Sequence, residues 1–269
     1  MNTTGPAHIV TLTTDFGWRD AYVGSMKGVI LSIAPHACIV DITHEIPPHD
    51  LLFGAMLLRE VCPRYPAGTI HMAVVDPGVG GKRRPILLNI EKRFYIGPDN
   101  GLFSLLLRDL SLEGGWELKN PEYFLPVISA TFHGRDIFAS VAAYLATGTS
   151  PDAFGPHMSD PLTITFPVPT VQPDCLAGEI LYIDRFGNCI STITYPAFKK
   201  WIQGDAFRIR IQDIELDTIA PSYDAVDRGA ILAIFNGLGY LEIARNQDRA
   251  DKVLHAHPGD TVLVYRQKS

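Results

Sequence analysis

Eleven consecutive residues bring together an acid, a glycine run and a basic cluster: Val74-Val75-Asp76-Pro77-Gly78-Val79-Gly80-Gly81-Lys82-Arg83-Arg84. The residues before Asp76, Ile70-His71-Met72-Ala73-Val74-Val75, are apolar enough to form a strand buried inside a sheet. Ligands of open α/β sheets bind at the carboxyl ends of the strands. Glycines there let a backbone approach closely. Asp76, the glycines and one of the two arginines are therefore expected to face a small molecule. The stretch is not a phosphate loop: Arg83 stands where G-x-x-x-x-G-K-[ST] requires Ser or Thr.

Other residues have chemistry of their own. Asp15 and Asp20 flank Phe16-Gly17-Trp18-Arg19, a placement suited to ribose hydroxyls or an ammonium group; the structural alternative is that Asp20 caps a helix. His133 lies in Thr131-Phe132-His133-Gly134-Arg135-Asp136, where a strand-like segment meets a helix start, and Arg135 and Asp136 are placed to pair with each other. Asp184-Arg185-Phe186-Gly187-Asn188 reads as a hairpin turn in which Phe186 is able to stack on a base and Asn188 to read its edge. A second hairpin runs from Asn236 to Asn246. His44 and His49 bracket Glu45-Ile46-Pro47-Pro48, and the two prolines forbid the helical geometry of a zinc-binding H-E-x-x-H. His255 and His257 lack a third ligand, so no metal site is expected.

The elements that must position these residues follow from periodicity. Residues 8–13 read as a first strand and 38–42 as a second; an apolar face of Tyr22, Val23, Met26, Val29, Ile30 and Ile33 reads as a helix opened by Asp20 and stopped by Pro35. Asp50 is placed to cap a helix through Leu58, which Pro63 ends. Strands are expected at 70–75, 86–90 and 93–96, a turn at Pro98-Asp99-Asn100-Gly101, and helices at 102–110 and 134–145. Such alternation predicts a parallel or mixed sheet covered on both faces. Six prolines between 151 and 173 read as a linker. Beyond it the helical period fades, and short alternating segments at 178–183, 189–194, 206–211, 230–235, 240–244 and 261–265 predict a small β-barrel or sandwich. The expected organisation is an N-terminal α/β sandwich domain over residues 1–165 and a C-terminal small β-barrel over 173–269.

Composition bounds the function. The 269 residues are 46% hydrophobic and 19% charged, with a net charge of −6, which argues against a partner with a nucleic-acid backbone. No apolar run reaches the roughly 18 residues of a membrane span. The first residues lack the pattern of a signal peptide, so a cytoplasmic location is expected. Cys38, Cys62, Cys175 and Cys189 include no C-x-x-C pair and read as reduced.

Taken in order, the motifs resemble the S-adenosyl-L-methionine (SAM) hydroxide adenosyltransferases, or SAM hydrolases, relatives of the fluorinases and chlorinases. The resemblance rests on Thr13-Thr14-Asp15-Phe16-Gly17 with Asp20 and Met26-Lys27-Gly28, Asp41-Ile42-Thr43-His44, Val75-Asp76-Pro77-Gly78-Val79-Gly80 and Gly97-Pro98-Asp99-Asn100-Gly101. It continues through Thr131 to Asp136, Asp184 to Asn188 and Asn236 to Asn246, and so spans nearly the whole chain.

The resemblance implies a catalytic Asp76, Arg83 and His133, with Arg84 a neighbouring alternative to Arg83. It puts the ribose diol on Asp15, the methionine end near Asp20, Tyr22 and Asp184, and adenine near Phe186, Asn188, Arg245, Tyr223 and Gln247. Phe16, Phe132, Asn236 and Glu242 complete the implied substrate contacts. It further implies a homotrimer whose active sites lie at subunit interfaces, SAM as substrate, no cofactor and no metal, and adenosine and L-methionine as products. The halogenating relatives carry an aromatic hydroxyl at the position of Asp76, a hydroxyl residue at that of Val79 and a serine at that of Gly134, departures that favour water over halide. A non-catalytic SAM or adenosine sensor is the reading from another class.

Overall fold

In the computed structural model, which describes residues 8–267, each strand of the first sheet shows its sequence period as two packed faces. The strands are β1 (Ile9–Thr14), β2 (Cys38–Thr43), β3 (Ile70–Val74), β4 (Pro85–Ile90), β5 (Arg93–Pro98) and β6 (Leu112–Glu117); the helices are α1 (Tyr22–Ile33), α2 (Leu51–Val61), α3 (Ser104–Asp109) and α4 (Ser140–Ala146). Strand order is β2-β1-β3-β5-β4-β6, parallel from β2 to β5 and antiparallel at β4 and β6. Ile70, Met72 and Val74 point into one core with Val23, Met26 and Ile30 of α1 and Val141, Ala142 and Leu145 of α4. Ala73 and Val75 point into the other, with Leu58 of α2 and Leu106 of α3. This two-sided burial explains why β3 is apolar at every position except His71. Asp50 caps α2 by accepting from Phe53 N at 2.9 Å.

The second unit begins where contacts thin between Ile164 and Thr165. Its strands are β7 (Thr170–Val171), β8 (Cys175–Ile183), β9 (Cys189–Thr194), β10 (Ala206–Ile211), β11 (Ile214–Leu216), β12 (Ile231–Phe235), β13 (Tyr240–Arg245) and β14 (Thr261–Gln267). They form one nearly closed, barrel-like sheet in the order β11-β10-β14-β8-β9-β13-β12, with β7 added beside β8. Its core is Leu176, Ile193, Ile209, Leu241, Ile243, Val262 and Val264 among others.

Several expectations are corrected. Helix α1 starts at Tyr22, and Asp20 makes no capping bond; the residue at the cap position is Ala21. The predicted helix over 134–145 opens instead as a π-helical turn, Gly134–Ala139, before α4. Strand β6 was not expected, because Gly114 and Gly115 break its alternation; a Cβ on Gly115 would lie 2.7 Å from Met158 O, so close packing selects glycine there. The barrel carries two helices the fading period hid, α5 (Tyr195–Ile202) and α6 (Ala250–Leu254).

His71 sits wholly buried on β3, its Nδ1 2.7 Å from Thr11 Oγ1 and its ring stacked 5.0 Å from that of Tyr95. Burial first, and the Arg93 charge second, push its pKa down to about 3. The unfolded chain takes up this proton near pH 6.5, so between about pH 6.5 and 3 it binds a proton that the folded chain refuses. Stability is therefore expected to fall as pH drops through that window, by at most about 1.4 kcal/mol per pH unit from this residue. Urea unfolding midpoints from pH 7.5 to 4 should show this slope, and His71→Phe should flatten it while lowering stability at neutral pH by about 1 kcal/mol through the lost Thr11 bond.

Candidate active site

Asp76 follows β3 directly, and its side chain is only 4% exposed. Arg83 grips it through two nitrogens: Nε donates to Oδ1 and Oδ2 at 3.1 and 2.9 Å, and Nη2 donates to Oδ2 at 2.5 Å. The same Nη2 lies 2.8 Å from Nδ1 of His133. One guanidinium thus bridges a carboxylate and an imidazole, with its face over the Phe138 ring at 5.3 Å. Arg84 turns elsewhere. Its Nε donates to Asp99 at 2.8 Å and its Nη groups to Asp160, tying the 98–101 turn to the strap at 160.

Two local devices bring His133 to Arg83. Gly80 has φ +72°, and a Cβ there would stand 2.1 Å from Ala130 O, so the Asp76 loop lies directly on the segment leading to His133. That segment is held by Asp136, fully buried, whose Oδ2 accepts from Ser129 N and Ser129 Oγ and whose Oδ1 accepts from Arg135 Nε at 2.6 Å. Burial lowers the pKa of His133 and the Arg83 charge lowers it further, against the opposing charges of Asp76 and Asp136. With a guanidinium N–H aimed at Nδ1, the geometry assigns that nitrogen as acceptor and leaves the ring proton on Nε2.

Beside this cluster stand Phe16, Tyr22 and Phe132, mutually 5.2 to 5.9 Å apart by ring centroids, with Met26 and Phe16 closing on Gly134. Asp15 leaves β1 with an 8% exposed side chain, and Oδ2 accepts from His49 N at 2.9 Å. Asp20 is exposed and joins no described contact of this cluster.

The barrel unit has a pocket of about 740 Å³ lined by Asp184, Phe186, Asn188, Tyr223, Arg245, Gln247, Asp248 and Arg249. Its volume suits a small organic ligand. Phe186 offers a 73% exposed ring. Asp184 closes its own turn: Oδ1 accepts from Phe186 N and Asn188 N, both at 2.9 Å, and Oδ2 accepts from Asn188 Nδ2 at 3.0 Å. The Asn188 amide spends one N–H on Asp184, which leaves its carbonyl oxygen and its second N–H for a ligand. Arg245 is braced by Gly229 O at 2.7 Å and Asp248 at 2.5 Å. Asn236 and Glu242 are not among the pocket's lining residues. Asn236 Oδ1 accepts from Leu238 N and Tyr240 N in the second hairpin, and buried Glu242 accepts from Tyr223 OH at 2.8 Å. Burial, with Asp184 adding to it, raises the pKa of Glu242.

Sequence reasoning missed Asp248 and Arg249, which directly follow Gln247, and Ser129, whose pairing with Asp136 spans seven residues without a motif. Among the described residues, no three His, Cys, Asp or Glu side chains gather as a metal site, and no helix is long and apolar enough to cross a membrane.

Both units of the chain have known relatives. Models of the SAM hydroxide adenosyltransferase N-terminal and C-terminal domains match residues 10–155 and 178–263. An (R)-S-adenosyl-L-methionine hydrolase of Salinispora arenicola is 36% identical over 95% of this chain and 97% of its own. One of Thermus thermophilus is likewise 36% identical, over 95% and 98%. A fluorinase of Nocardia brasiliensis is 28% identical over 91% and 92%. The crystal structure of a conserved protein from Thermotoga maritima superposes with a TM-score of 0.88 at 33% identity, covering 96% of this chain and all of that one. Matches to both domains, together with relatives aligned over nearly the full length, make this chain a member of the SAM hydroxide adenosyltransferase family.

Proposed function

We propose that this protein hydrolyses (R)-S-adenosyl-L-methionine to adenosine and L-methionine by in-line attack of water at ribose C5′. The observation that carries the reading is the carboxylate of Asp76, held by Arg83 and backed by His133 at the end of β3. The R configuration at sulfur comes from the names of the hydrolase relatives.

The chemistry asks little of a nucleophile and much of geometry. Breaking C5′–S discharges a sulfonium, a good leaving group. As the water oxygen bonds to carbon it becomes positive and acidic, and a carboxylate beside it both stabilises that charge and takes the proton. Asp76 is placed for this. Arg83 fixes both carboxylate oxygens along one edge, leaving their outer lone pairs for water. His133 presents Nδ1 to Arg83, so its part is to hold the guanidinium in plane. The released proton passes from Asp76 to solvent, and one water, one adenosine and one methionine balance the step. A halide is already an anion, needs no base and would be repelled by the Asp76 carboxylate, which separates this reading from the fluorinase relatives. Asp15 takes the ribose diol and the aromatic group Phe16, Tyr22 and Phe132 lines the reacting end. Adenine belongs in the barrel pocket, on the Phe186 ring and against Asn188, Arg245 and Gln247.

The active unit we propose is a homotrimer in which the N-terminal unit of one subunit and the barrel of the next share each substrate. A cytoplasmic setting belongs to the same proposal, consistent with four free cysteines.

Incubation with each sulfur epimer of SAM, with and without chloride, followed by chromatography, should give equal adenosine and methionine from the R epimer and no 5′-chloro product; intact substrate that nevertheless binds would leave a sensor instead. Asp76→Asn should bind substrate normally and turn over about 10²- to 10⁴-fold more slowly. Because the His133 pKa lies below its ordinary value near 6.5, protonation that would break its contact with Arg83 comes only in acid. The kcat/KM profile should stay flat from pH 8 through about 6.5 and decline below it. Mixing equal amounts of Asp76→Asn and Arg245→Ala subunits, unfolded and refolded together, should restore roughly a quarter of wild-type activity, as random assembly around a threefold ring requires. No recovery would place each site within one subunit.

A further inference from the structure

Outside the reacting cluster, the N-terminal unit holds a second chain of polar groups. Thr14 Oγ1 lies 2.8 Å from His44 Nδ1, His44 Nε2 lies 3.0 Å from Asp41 Oδ1, and Lys27 Nζ lies 2.6 Å from Asp41 Oδ2. Trp18 packs edge-on against the His44 ring at 4.6 Å, and Lys27 Nζ sits 5.4 Å over Trp18. In outline this is the hydroxyl, imidazole and carboxylate of a hydrolytic triad. Both Thr14 and His44 are fully buried, however, so no substrate reaches that hydroxyl.

The direction of the hydrogen bonds shows another use. A carboxylate only accepts, so Asp41 selects the tautomer with the proton on Nε2 of His44. Burial opposes ionisation of Asp41, but hydrogen bonds from Lys27 and His44 outweigh it and hold its carboxyl below the usual range. Nδ1 then accepts the Thr14 hydroxyl proton, and this turns the oxygen lone pairs of Thr14 toward Phe16 N, which donates to Oγ1 at 3.2 Å. That last bond closes a hydroxyl turn across Asp15. The same turn is pinned on its far side, where Gly17 N donates to His44 O at 2.7 Å with Gly17 at φ +66°. His49 N holds one Asp15 oxygen.

We infer that Lys27, Asp41, His44 and Thr14 form a positioning chain that presets the Asp15 turn for the ribose diol, with His44 as its pivot. The inference rests on the reading above that Asp15 takes the diol. It gives these four residues a role in substrate binding without contact with substrate, and predicts that damage to the chain erases discrimination by the diol while leaving the rest of the nucleoside's binding in place.

The test measures competitive inhibition by adenosine and by 2′,3′-dideoxyadenosine, with melting temperatures recorded for every variant. Wild type should prefer adenosine by about tenfold or more, Asp15→Ala should show no preference, and Thr14→Val and His44→Asn should fall to within about threefold of Asp15→Ala. Thr14→Ser, which keeps the hydroxyl, should restore the wild-type ratio. If Thr14→Val and His44→Asn keep that ratio, or weaken both inhibitors equally, while Asp15→Ala loses it, the positioning chain is overturned and the role of Asp15 stands. If Asp15→Ala keeps the ratio, or wild type shows none, the diol reading of Asp15 falls and the chain with it.

Discussion

A guanidinium is a flat, rigid fork whose N–H groups point outward in one plane, so it can satisfy two acceptors only if both lie in that plane at fixed separation. Arg83 does this for Asp76 and His133, which are 57 residues apart in sequence. The rest of the N-terminal unit is arranged so that this plane exists. Strand β3, buried on both faces, fixes where Asp76 emerges. Phe138 supports one face of the guanidinium. The close passage of Gly80 beneath Ala130 O fixes the distance between the two loops, and any side chain at residue 80 would push them apart. Removing Arg83 would leave two half-buried acceptors without the donor they share, so the three groups depend on one another.

The two units differ in chemical kind. The α/β unit carries the charged, directional cluster of Asp76, Arg83 and His133. The barrel carries an exposed ring and a pocket lined by side chains that its own turns have already fixed. Asp184 illustrates this: its oxygens serve the turn, so it shapes the pocket by building it. Glu242, buried beneath Tyr223, does the same from below.

Much of this was legible in the residues. The apolar run before Asp76, the cap at Asp50 and the alternating barrel segments follow from period and burial. The choice between Arg83 and Arg84 did not, because neighbours entering an extended segment point to opposite sides. One faces Asp76 and the other Asp99, and sequence alone does not say which. Strand β6 was hidden by glycines selected for tertiary contact rather than propensity. Helix α5 left a signal that a β-rich context obscured: Thr194 as cap, accepting from Ala197 N, with Pro196 in the first turn. The Asp184 carboxylate and the Asn236 carboxamide each close their own turn, which residue type alone did not reveal, because a turn-closing side chain and a ligand-reading one look alike in sequence.

The π-helical turn after His133 has a consequence for how that side chain is aimed. A π turn holds one more residue than the α turn it replaces, and it persists only where packing compensates for its poorer bonds. Here Asp136 and Ser129 supply that compensation. In a regular α-helix one extra residue would turn everything before it by about 100° about the axis. The wide turn over Gly134–Ala139 takes that residue up locally instead, so the direction in which His133 leaves the helix depends on where the turn widens as well as on its own place in the chain. Packing that fixes the wide turn, far more than the count of residues alone, therefore keeps the imidazole in line with the guanidinium.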